Sequence, residues 1–130
     1  MNVYKKLITT CMLSAILSPF MVQAEEGNWK KGRIYYRMVC TACHKDAPVG
    51  SISPASKTKA EWSAYLDADN HAKGKEKVSY YVSKEYREKV KGSNRAAAKF
   101  IKNSEASLLA DVKAFVIHGA KDSDSPARCN

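Results

Sequence analysis

The chain has 130 residues, enough for one domain and too few for several. Its 22 basic residues stand against 13 acidic ones, a formal charge of +9, so its surface is basic. With an export signal at the start, that charge suits an acidic protein partner or an anionic membrane surface rather than nucleic acid.

Residues 1–24 read as a cleaved secretory signal peptide. Lys5 and Lys6 form a basic start, residues 7–17 an apolar run, and Val22, Gln23 and Ala24 a small-residue cleavage box. The apolar run is short for a bilayer span and is broken by Ser18 and Pro19. Cys11 is a poor lipidation site, because it precedes most of the run and follows Thr10. Cleavage near Ala24 removes Lys5 and Lys6 and leaves an exported domain over residues 25–130 with a charge of +7.

Over residues 28–39, Trp29, Tyr35, Tyr36 and Val39 recur near helical spacing and predict a helix. Gly32 costs about 1 kcal/mol relative to Ala inside a helix, so its presence suggests a close crossing by another helix. The helix leads into Cys40, Thr41, Ala42, Cys43 and His44, a CxxCH run. Two thiols one helical turn apart can reach the two vinyl groups of one porphyrin, and the following histidine is carried beneath the ring as an axial ligand. Cys40 and Cys43 are therefore the expected thioether attachments of one haem c, and His44 the expected proximal iron ligand.

Other chemistries fit this run less well. Zinc calls for a second pair of Cys or His ligands, and the downstream Cys129 has no histidine close by in sequence. A redox CxxC normally opens a helix after a strand in a βαβ setting, which is absent. With Cys11 in the signal and two thiols in thioethers, Cys129 has no intramolecular partner. It is left free, for contact with another chain, or for a reach back to the iron.

Residues 45–57, with Pro48, Gly50 and Pro54, predict an irregular segment. Thr58 and Glu61 fit a capping box, and Trp62, Tyr65 and Leu66 give the short helix behind it an aromatic side. Residues 67–77 read as a polar loop holding His71, and residues 78–90 as a helix supported by Glu85 and Lys89. Asn94 can cap an Ala-rich helix ending near Ile101. After a break at Asn103 and Ser104, Leu108, Leu109, Val112, Phe115 and Val116 stripe a last helix, with His118 in its final turn and Gly119 at its end. The tail over residues 120–130 is polar.

On the CxxCH run, with Gly32 and an aromatic before it and Phe115 near the end, the chain resembles class I cytochromes c. The resemblance implies an all-α fold, a small domain of about four to five helices wrapped around one covalently bound haem. It implies that Gly32 and Tyr35 or Tyr36 meet Phe115 on the last helix. It also implies that His44 donates its second ring N–H to a proline carbonyl, Pro54 first and Pro48 second.

The chain departs from that family on the other side of the iron. No methionine follows Met38, and Met38 sits on the helix entering the motif, badly placed for the distal face. His71 and His118 are the two histidines left to complete a bis-histidine site of low potential. The expected function is that of a periplasmic or otherwise exported monohaem cytochrome, an electron-transfer protein rather than an enzyme, serving acidic redox partners, with peripheral membrane association as a further role for the basic surface. An open sixth position would instead suit a small-ligand sensor or a peroxidase-like protein. A subunit of a larger assembly, joined through Cys129, is the third alternative.

Overall fold

Asn28 accepts the N–H groups of Lys30 and Lys31 at 3.0 and 3.2 Å and so caps α1 (Trp29–Tyr35). The computed structural model describes residues 26–45, 52–72 and 74–127. The signal segment, Pro48, Gly50 and Cys129 lie outside the described residues. α1 does not end at Tyr35. It widens into a π turn over Tyr36–Cys40 and runs on into α2 (Thr41–Lys45). The Thr41 N–H reaches back five residues to the Tyr36 carbonyl, and its hydroxyl bonds the Arg37 carbonyl. Such bulges concentrate at functional sites, and this one lies directly in front of Cys43 and His44.

Gly32 is where α1 crosses α7 (Glu105–His118), as its place in the sequence suggests. A Cβ on Gly32 would overlap the backbone carbonyl of Asp111. Beside the crossing, the Asp111 carboxylate accepts the Asn28 N–H at 2.6 Å. Of the two candidate tyrosines, Tyr36 is the one that meets Phe115, with ring centres 5.3 Å apart. Tyr35 packs edge-on against Phe100 at 5.2 Å and donates its hydroxyl to the Tyr81 carbonyl.

The capping box forms as the sequence predicts. The Thr58 N–H donates to Glu61 at 2.7 Å and the Glu61 N–H to the Thr58 hydroxyl at 3.2 Å, opening α3 (Lys59–Asp67). The helix expected over residues 78–90 is instead divided into α4 (Val78–Val82) and α5 (Lys84–Val90). Ser83 between them is extended, and its hydroxyl accepts the Tyr86 N–H at 3.0 Å, a local bond that competes with continuing the helix. Asn94 caps α6 (Arg95–Lys99).

Two apolar clusters result, and α7 reaches into both. Leu108 and Val112 join Tyr35, Val39, Val82, Ala97 and Phe100. Phe115 and Val116, one to two turns on, join Trp62, Leu66 and Ala120. Arg87 is fully buried beside the first cluster, where its guanidinium donates to the Phe100 and Asn103 carbonyls at the end of α6. Every regular element among the described residues is helical, so the fold is all-α. None of these helices is long and apolar enough to cross a membrane.

Candidate functional site

The π turn and α2 present Cys40, Cys43 and His44 to a cavity of about 610 Å³, and the loop between α3 and α4 brings His71 to the same cavity. Its walls are largely apolar and aromatic, with Trp62 and Leu66 from α3, Val82 and Tyr86 from the α4 and α5 side, and Val112 and Val116 from α7. That volume falls within the roughly 300–1,000 Å³ of sites that enclose a small molecule or cofactor.

His44 and His71 lie 27 residues apart in sequence but have ring centres 5.9 Å apart, tilted by 55°. His71 packs in turn against Tyr81, at 5.2 Å. Burial, followed by the neighbouring His44, holds the His71 imidazole below its ordinary pKa, which favours the neutral form that binds metals. His71 Nδ1 is buried without a hydrogen-bond partner among the described residues. It lies against Gly74, where a Cβ would overlap the imidazole.

The His71 loop is tied at several points. Asp69, in the left-handed region at φ 48°, turns the chain out of α3. Its carboxylate bonds Ser79 at the start of α4. The Ala72 N–H donates to the Tyr65 hydroxyl at 3.2 Å, and the Gly74 N–H to the His71 carbonyl at 3.0 Å.

Cys40 and Cys43 are not joined to each other. Burial pushes the Cys40 thiol up to about 12, with Cys43 adding to the effect. That is the opposite of the thiolate activation a redox dithiol needs. Cys43 is exposed, with its sulfur 4.0 Å from the Tyr86 hydroxyl. Burial first and Cys43 second push that phenol up to about 12.

The remaining candidates lie elsewhere. His118 is exposed at the end of α7 and stacks on Trp29, ring centres 4.1 Å apart and 15° from parallel, away from the walls that carry Cys40 and His44. Met38 is exposed on the outer side of the π turn. The Pro54 carbonyl, expected beneath His44, accepts the Trp62 indole N–H at 2.6 Å. Tyr81 and Tyr86, which belong to no motif in the sequence, also line the cavity.

Cys40, Cys43, His44 and His71 are the residues that could hold an iron porphyrin. Two imidazoles bound to opposite sides of one metal through bonds of about 2 Å hold their ring centres roughly 6 Å apart, close to the observed separation. Among the described residues no three His, Cys, Asp or Glu side chains gather to hold a bare metal ion. An iron porphyrin supplies most of its metal ligands itself, so His44 and His71 would be the side chains left to hold the iron. No family model, no curated protein and no solved structure matches the chain.

Proposed function

We propose that this protein is an exported monohaem c-type cytochrome that carries single electrons between redox proteins. The observation that carries the reading is the meeting of Cys40, Cys43, His44 and His71 on one apolar cavity, with the two imidazoles 5.9 Å apart. Cys40 and Cys43 would hold the haem through thioethers, His44 would be its proximal ligand and His71, rather than His118, its distal one. Bound there, the haem supplies a one-electron couple between ferric and ferrous iron.

The chain's own groups set the conditions for that couple. Val82, Val112 and Val116 give the cavity an apolar lining, and the bonds of Asp69 to Ser79 and of Ala72 to Tyr65 tie the chain on either side of His71. Two strong ligands that change little between oxidation states favour transfer over ligand binding, and histidine in place of methionine keeps the potential low. The signal segment would send the chain to the periplasm or an equivalent compartment.

Expression alongside haem-attachment machinery tests the reading. Wild-type protein should retain haem through denaturing electrophoresis, and Cys40→Ala/Cys43→Ala should lose it. Ferric wild type should give a low-spin EPR spectrum, which His71→Ala should convert to high spin while His118→Ala leaves it unchanged. Covalent haem in the double cysteine variant, or none in the wild type, would overturn the proposal. Rapid CO binding by the ferrous wild type would favour a sensor.

A further inference from the structure

Next to the cavity lies a separate groove of about 1020 Å³ along the outer side of α1 and the π turn. Among the described residues its charged lining is all cationic, Lys30, Arg33 and Arg37, with no carboxylate. Among the described residues none of the three forms an ion pair. Ile34 and Met38, 52% and 55% exposed, are the large apolar side chains left in solvent among the described residues, and both line this groove. Lys30, Ile34 and Met38 follow one another at intervals of four residues, as do Arg33 and Arg37. Ile34 and Met38 thus form a short apolar row beside the cationic pair Arg33 and Arg37, with Lys30 at its end, all on the one groove.

Single exposed apolar residues are ordinary, but two on one concave face rimmed by uncompensated charge mark an interaction site. We propose that this groove docks an acidic partner protein, one that inserts an apolar side chain between Ile34 and Met38 while its carboxylates meet Lys30, Arg33 and Arg37. The redox role of that partner rests on the carrier reading; the chemistry of the groove does not. A flat bilayer surface would leave the concavity unfilled. A nucleic acid backbone would satisfy the cations but not the apolar row. A second copy would bring its own cationic face and net positive charge against this one.

The position of the groove gives docking a consequence. Tyr36 and Ile52 line both the groove and the cavity, and the Tyr36 hydroxyl donates to the Ile52 carbonyl at 2.7 Å. A partner seated in the groove is thus separated from the cavity by that wall. One electron crosses it, the carrier being oxidised and the partner reduced by the same electron, with no bond made or broken.

The test is an NMR titration of the ¹⁵N-labelled haem-bearing protein with a synthetic peptide in which leucines alternate with glutamates. A glutamine-for-glutamate peptide and phosphatidylglycerol vesicles serve as comparisons. The acidic peptide should shift the amides of Lys30 to Met38 and of Ile52. Arg33→Glu/Arg37→Glu, both exposed, should weaken it by about tenfold or more, and Ile34→Ser should weaken it without changing its salt dependence. Shifts confined to other faces, no shifts at all, or equal affinity of the charge-reversed variant would overturn the proposal. So would vesicle binding through this face without peptide binding. Haem staining of the same sample separates the two readings. Haem-bearing protein with an inert groove sinks the docking site alone, and groove binding by protein lacking covalent haem sinks only the carrier.

Discussion

The carboxylate of Asp69 accepts both the backbone N–H of Ser79, at 2.7 Å, and its hydroxyl, at 2.6 Å, and so pins together the two ends of the loop that carries His71. Ser79→Ala removes the hydroxyl bond and leaves the backbone one. The expected loss of stability is about 1 kcal/mol, read by denaturant unfolding. With the loop loosened, the ferrous haem-bearing variant should bind CO faster than wild type. An unchanged CO rate would mean that the loop holds His71 by other contacts.

Gly74→Ala acts on the same imidazole from the other side. The added methyl overlaps the His71 ring, so either the loop or the ring must move. Covalent haem should survive, because Cys40 and Cys43 are untouched, while the ferric EPR spectrum gains a high-spin component.

Gly32→Ala tests the helix crossing. Its Cβ meets the Asp111 backbone, which cannot swing aside as a side chain end would. Overpacking of this kind should cost about 3 kcal/mol and lower the thermal midpoint with haem attached or absent.

Arg87→Met keeps most of the buried volume but removes the guanidinium bonds to the Phe100 and Asn103 carbonyls, of which Phe100 keeps the Asn103 N–H at 3.0 Å. One acceptor left without this donor and one left with a single bond should cost about 2 kcal/mol in total. Hydrogen exchange at the end of α6 should rise more than in α7.

The capping box gives a dependence on pH. The Thr58 N–H, then its hydroxyl, hold the Glu61 carboxyl below the usual carboxylate range. A folded value lowered in this way adds stability above the unfolded value, about 4.3, and that stability fades as pH falls through the folded value. Wild type should therefore melt above Glu61→Gln at neutral pH, with the gap closing as the solution is acidified from about pH 5 to pH 3. A constant gap would show that the carboxylate charge contributes nothing.

Much of this was legible where the signal is local. The CxxCH spacing, the Thr58 and Glu61 box, the Gly32 crossing and the α7 stripe each span a few residues and depend on one element at a time. Which of His71 and His118 lies near the CxxCH run did not have that character. His118 sits on a strongly periodic helix and His71 in a polar loop without a period, yet the loop histidine reaches the cavity because Asp69, Tyr65 and Gly74 fold the loop inward. The break at Ser83 was hidden for a related reason. Tyr81, Val82 and Tyr86 keep helical spacing across it, and only the competing hydroxyl bond interrupts the backbone.

The widened turn over Tyr36–Cys40 holds one residue more than a regular helix would place there. Deleting a residue from it would restore ordinary backbone pairing. It would also rotate everything downstream by about 100° around the axis, carrying Cys43 and His44 off the cavity wall. Under the proposed haem attachment, a shortened protein that is firmer yet unable to retain haem is the outcome this implies, so selection for stability alone would erase the turn and selection for attachment would keep it.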